Sequence, residues 1–205
     1  MILFFKGFIT GLLCPFLSIS IALLIANLHM SGRSHPVKSG VLGIITMNLV
    51  FALIAAFGLH LAMISLRADY RSFSIIGAII LFLFALKFYK TQAPIPSPEF
   101  LPPQTGYKSY LFCLIFTASF PMIIIQYAAI YAALGIHTQI PPLALNFLIV
   151  IGSFLGLLIW WGCYLGFLQK TKILSPNKLA ETFSRLSALI LVCFSLIGLI
   201  QIYFI

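Results

Sequence analysis

The residues able to do chemistry inside the long apolar stretches of this chain are few and uncharged. They are Thr10, Ser18 and Ser20, then Thr46 and Asn48, then Thr117, Ser119 and Gln126, and finally Asn146. Two prolines stand among them, Pro15 and Pro121. A proline inside a helix cannot donate the backbone hydrogen bond and its ring clashes with the preceding turn, so the helix kinks or opens. In lipid the freed carbonyls are tolerated only where protein or trapped water supplies partners. Hydroxyls and amides beside such breaks make a place to bind a small polar molecule, and half-helix N-termini there favour a carboxylate. The candidate substrate-binding set is therefore Pro15, Ser18, Ser20, Asn48, Thr117, Ser119, Pro121 and Gln126.

That chemistry is recognition rather than bond making. No buried acid–base pair and no Ser/His/Asp constellation can be placed, so the chain reads as a non-enzyme. No Asp, Glu, Lys or Arg lies near the middle of a span, which argues against a pump with its own carboxylate proton relay. His29, His35, His60 and His137 read as interfacial. Cys14, Cys113, Cys163 and Cys193 lie within apolar spans without metal-ligand spacing, so neither a metal nor another cofactor is expected. Each Ser or Thr also has a plainer reading, a hydrogen bond back to its own helix. Asn48 and Gln126 are harder to place that way, because an amide in lipid must find partners and so faces the bundle interior.

The elements that must position these residues are helices in a membrane. Of 205 residues, 62% are hydrophobic and only 7% are charged. Stretches of eighteen or more apolar residues argue for membrane spans. The sequence predicts an all-α integral membrane protein with six spans, at about 2–28, 37–65, 73–91, 108–134, 141–168 and 179–205. The opening MILFFKGF lacks a basic n-region and a cleavage site, so the first span is expected to be retained. TQAPIPSPEFLPPQTG carries five prolines and reads as a semi-rigid connector between two three-helix units, about 1–91 and 108–205, with 92–107 between them.

The net charge of +9 is not a nucleic-acid signature, because the basic residues sit in short loops and not on one solvated face. It sets orientation and meets anionic headgroups. The first, third and fifth connections with adjoining helix ends hold Arg33, Lys38, Lys87, Lys90, Lys108, Lys170, Lys172, Lys178 and Arg185, against Lys6, Arg67 and Arg71 on the other side. Nine against three puts the long connections in the cytoplasm and both termini outside. The two halves then run antiparallel, as inverted repeats, with Pro15 and Pro121 approaching the midplane from opposite directions. Paired interrupted helices at matching positions of two halves point to a transporter's binding site.

Three small-xxx-small pairs, Gly7/Gly11, Gly152/Gly156 and Gly162/Gly166, offer flat faces for close packing within the bundle or for a homodimer contact. Trp160, Trp161 and Tyr164 fit an interfacial aromatic belt.

With these patterns laid out, the chain resembles the LysE/RhtB family of bacterial amino-acid exporters, the LysE-type translocators. FFKGFITGLL is similar to the family's Gly-x-x-x-Gly opening before a proline break, here Cys14-Pro15-Phe16. GVLGIITMNLVFALIAAFG resembles its second helix, with Asn48 where the family has an acidic residue and Gly58 as the closing glycine. Gly77, Ala78, Leu81 and Ala85 match a third-helix pattern. Phe120-Pro121-Met122 stands where the family carries Asn-Pro-Lys, and Trp160 and Tyr164 match a Trp-x-x-x-Tyr pattern. The resemblance implies an inner-membrane secondary transporter exporting amino acids or related small polar metabolites by alternating access. Two other readings remain open on the residues alone. One is a membrane thiol–disulfide relay through Cys14 and Cys113, similar to the CcdA type. The other is a membrane scaffold that kept the fold and lost transport.

Overall fold

The computed structural model describes residues 1–30, 34–66, 70–90, 105–134 and 143–170, together with 182, 185–193, 195–196 and 200 of the C-terminal stretch. Seven helices are delimited within them: α1 (Ile2–Leu17), α2 (Ile19–Met30), α3 (Ser34–Leu66), α4 (Tyr70–Lys90), α5 (Gly106–Ala118), α6 (Met122–Ala133) and α7 (Leu143–Lys170). Residues 185–193 are helical as well, and no strand occurs among the described residues. The Pro-rich connector up to Gln104, the turn GIHTQIPP and the basic loop after Lys170 lie outside the described residues.

Two stretches, Pro36–Ala62 and Asn146–Gln169, are each long and apolar enough to cross a membrane. Two further spans arise if each bent pair is taken as one: α1 with α2 turns by 67°, and α5 with α6 by 66°. The chain is thus an all-helical protein with two to four candidate membrane-spanning helices; α4 contributes a shorter apolar run, Ile75–Lys87. The bundle's outer surface carries Leu42, Ile54, Leu61, Phe82, Leu83 and Ile159, all exposed, as suits contact with lipid tails.

Both expected breaks are present, and they are built differently. Pro15 lies inside the last turn of α1, and the helix ends three residues later at Ser18. Pro15 has no amide hydrogen to give the Gly11 carbonyl. The Ser18 amide then reaches only Pro15 O (3.1 Å), and the Ser18 carbonyl accepts from Ile21 and Ala22 to start α2. In the second break Ser119 closes α5 and Pro121 stands immediately before α6 with φ −62°. That is a position where no donor is needed. Pro36 likewise sits in the first turn of α3.

Glycines set the closest helix contacts. A Cβ on Gly7 would strike the backbone of Ile149, and one on Gly11 the backbone of Ser153; Gly152 and Gly156 face Phe4 and Phe8 in return. Each step of four residues on α1 matches a step of four on α7, so these helices run in the same direction. Small residues allow such approach where lipid gives no hydrophobic drive. The pairs Gly7/Gly11 and Gly152/Gly156 therefore pack on each other. A Cβ on Gly162 or Gly166 would meet nothing within 4 Å. The helices α3 and α5 also run the same way: Ser109 Oγ donates to Pro36 O at 2.7 Å, and one turn on, Cys113 Sγ lies against Gly40.

Candidate functional site

Most of the polar side chains singled out in the sequence fall into two groups. Thr117 and Ser119 spend their hydroxyls on their own helix, donating to Cys113 O (2.7 Å) and Ile115 O (3.0 Å). Thr10 and Thr46 do the same toward Lys6 O and Leu42 O. These four follow the plainer expectation, a back-bond one turn away. Ser119 and Pro121 are exposed, whereas Pro15 is buried and Ser18 and Ser20 are half-buried. The α1/α2 break is therefore covered by the bundle and the α5/α6 break is open to its surface.

The second group faces inward, as the amide argument requires. Asn48 is buried on α3; its Nδ2 donates to Ile44 O at 2.9 Å and its Oδ1 has no partner. Gln126, one turn into α6, is buried with Oε1 unpartnered. The Ser18 Oγ at the first break is also unpartnered. Asn146, at the start of α7, is fully buried with neither amide atom bonded. Buried polar groups without partners are costly, so each of these atoms calls for a partner, of which a trapped water is the simplest.

Several functional-looking side chains were not singled out by residue type. Ser153 on α7 donates to Gly7 O and is 3.0 Å from the Tyr131 hydroxyl of α6, tying three helices together. The Tyr127 hydroxyl faces the Cys14 thiol. Ser187 donates to Phe16 O, and Ser195 to Ala78 O at 3.0 Å, anchoring the C-terminal helical residues on α1 and α4. Ser153 could have been found in the sequence: it lies between Gly152 and Gly156, on a helix surface made for close approach.

The aromatic expectation needs correction. Trp160, Trp161 and Tyr164 are buried and do not form an interfacial belt. Trp160 stacks on Tyr164 (centroids 5.0 Å apart, 17° between planes), stands edge-on to Trp161, and meets Phe16 edge to face. The Tyr164 hydroxyl donates to Ala22 O of α2 at 2.8 Å. The rings pack on one another and on Phe16, and the Tyr164 hydroxyl finds a backbone carbonyl in α2, so they lie inward and not at a headgroup. Trp161 Nε1 remains without a partner.

All four cysteines are free thiols, Cys14 and Cys113 buried, Cys163 and Cys193 exposed. Cys14 has Tyr127 beside it, while Cys113 has Ser109 and Gly40. The two buried thiols thus sit in different surroundings, which gives a thiol relay no support. Among the described residues no group of His, Cys, Asp or Glu could hold a metal ion. Comparison with family models, curated proteins and solved structures finds no match, so the likeness to LysE-type translocators rests on the residue patterns themselves.

Proposed function

We propose that this chain is a secondary transporter of the LysE type. It exports amino acids or related small polar metabolites across a bacterial inner membrane. Six spans form two inverted three-helix repeats with both termini outside, and one repeat rocks on the other around a midplane site.

One observation carries the reading, an equivalence between the halves. Pro15 and Pro121 are 106 positions apart, and so are Phe4 and Tyr110, and Phe8 and Leu114. A Cβ on Gly152 would strike Phe4 O and the Phe8 amide; one on Gly43 would strike Tyr110 O and the Leu114 amide. Gly7 meets Ile149 as its counterpart Cys113 meets Gly40. The same offset thus relates the prolines and the α1 and α5 sides of these contacts, their partners Gly43/Gly152 and Gly40/Ile149 sharing an offset of 109, and the two bends differ by a single degree, 67° against 66°. The parallel courses of α1 with α7 and of α3 with α5 are what two antiparallel halves of three spans require. The inward amides Asn48 and Gln126 supply polar contacts, and the covered α1/α2 break supplies backbone ones.

Proteoliposomes loaded with an unlabelled amino acid and given the same compound in labelled form outside test this directly. Counterflow above that of empty liposomes for at least one member of the standard set is expected. Background rates across the whole set would rule out amino-acid export.

A further inference from the structure

The two breaks are alike in bend and opposite in support. Both arms of the first lie on one helix. A Cβ on Gly7 or Gly11 of α1 would strike the α7 backbone at Ile149 or Ser153, and α2 is held to the same α7 by the Tyr164 hydroxyl, which donates to Ala22 O at 2.8 Å. Ser187 closes on Phe16 O at the bend itself. The arms of the second break lie on different helices. On α5, Ser109 Oγ donates to Pro36 O at 2.7 Å and the Tyr110 hydroxyl to Thr46 Oγ1 at 3.3 Å, while a Cβ on Gly43 would strike Tyr110 O; all three contacts are with α3. On α6, the Tyr131 hydroxyl is 3.0 Å from Ser153 Oγ of α7, the Tyr127 hydroxyl lies beside Cys14 of α1, and a Cβ on Gly77 of α4 would press on Ala129 O. Between the arms of the second break the backbone is open. The Ser119 and Phe120 amides turn back to α5, and bonding resumes with Ile123 on Phe120 O and Ile124 on Pro121 O. Pro121 has no amide hydrogen to bond back across the bend. Ser119, Phe120, Pro121 and Met122 are all exposed, so the bend can change without a neighbouring helix having to repack on them.

We infer that the Ser119–Pro121 break is the hinge of the bundle, about which α3 and α5 swing together against α1, α6 and α7, while the Pro15–Ser18 break keeps a fixed bend. This rests on the transport reading above and changes what moves in it: each moving piece takes helices from both repeats. Glycine contacts put backbone on backbone, with no side chain that could re-rotate, so α1 stays with α7 and α5 with α3. Where the pieces meet, the contacts are side-chain ends that keep touching through a small shift. Phe57 of α3 stands edge-on to Phe147 of α7 with centroids 5.4 Å apart, and the tip of Ile25 of α2 lies against Gly40 of α3. Hinges are a few residues at the ends of elements that absorb the change in φ and ψ, and packed helices slide on one another by small amounts. A fixed first break holds the Pro15–Ser18 backbone in place while the bundle opens to one side of it or the other.

Spin labels on the full chain in lipid nanodiscs read this motion, with the exposed Cys163 and Cys193 replaced by serine. One pair spans the second break, Tyr107 with Ile125. Another spans the first, Phe5 with His29, and a third joins α5 to α3, Tyr107 with Ile54. All but the half-buried His29 are exposed positions, and gel filtration checks each labelled protein. Distances between labels are measured without and with a mixture of the standard amino acids. The Tyr107–Ile125 pair should show two populations, or one that shifts on addition, and the other two pairs a single unshifted distance. A single unshifted distance for Tyr107–Ile125 overturns the inference. So does movement of Phe5 relative to His29, or of Tyr107 relative to Ile54. A moving second break with counterflow at background keeps the hinge and removes amino-acid export; counterflow with a still second break does the reverse.

Discussion

The Tyr131 hydroxyl lies 3.0 Å from Ser153 Oγ, and the direction of that hydrogen bond is fixed by a third group. Ser153 has one hydroxyl hydrogen and gives it to Gly7 O at 3.0 Å, so Tyr131 must be the donor to Ser153. The order Tyr131, Ser153, Gly7 runs from α6 through α7 to α1, across the close α1–α7 contact. Ser153→Ala leaves the Tyr131 hydroxyl buried without an acceptor and should cost about 1–3 kcal/mol. Tyr131→Phe removes one bond but leaves Ser153 satisfied by Gly7, so it should cost only about 0.6 kcal/mol. Unfolding in mixed micelles measures both. A larger loss for Tyr131→Phe would mean that the ring's packing, not the hydroxyl, matters there.

The glycine contact between α1 and α7 makes a steric prediction. A side chain at Gly152 meets the Phe4 carbonyl and the Phe8 amide, which are backbone and cannot rotate away. Gly152→Val should therefore force the helices apart, at about 1–3 kcal/mol or more. Gly162→Val, ten residues along the same helix, meets nothing within 4 Å and should leave the melting temperature within error. Equal effects would show that α7 packs on another face than the one described.

Much of this arrangement was legible in the chain because lipid imposes a few strong rules. The apolar runs, the two proline breaks and the inward direction of Asn48 and Gln126 follow from the demand that no backbone or amide group face hydrocarbon alone. The place of the first break was not legible. Proline predicts a lost bond at Gly11 O, but which nearby residue ends the helix depends on how Trp160, Tyr164 and Ser187 close around Phe16 and Ala22. The aromatic cluster misled for the same reason. Tryptophan and tyrosine suit both a headgroup and a buried carbonyl, and residue type cannot choose between them. Ser153 and Tyr131 were silent because their role exists only once three helices meet.

Orientation is open to a direct measurement. The orientation we propose, from the distribution of lysines and arginines, has both termini on the outer face. Alkaline phosphatase fused after Ile205 should be active, and a green fluorescent protein fused there should be dark. The opposite pair of results would invert the repeats relative to the membrane and exchange the cytoplasmic and outer ends of the pathway.

The two prolines should respond differently, because one sits inside a helix and the other begins one. Pro15→Ala restores the amide that Gly11 O lacks and removes the ring from the last turn of α1. It should stabilise the protein by up to about 3 kcal/mol, the cost of a proline in a helix interior. It should also straighten α1 into α2 and slow exchange in proteoliposomes at least tenfold, since the 67° bend is what opens the backbone at Ser18. Pro121→Ala adds an amide at the start of α6, where no acceptor awaits it, so stability should change by less than about 0.5 kcal/mol. Its effect on exchange should be smaller than that of Pro15→Ala, because Ser119 already ends α5 before the proline is reached. If Pro15→Ala melts earlier than the parent protein and exchanges at the parent rate, the proline is needed for packing and the break at Ser18 is not part of the pathway.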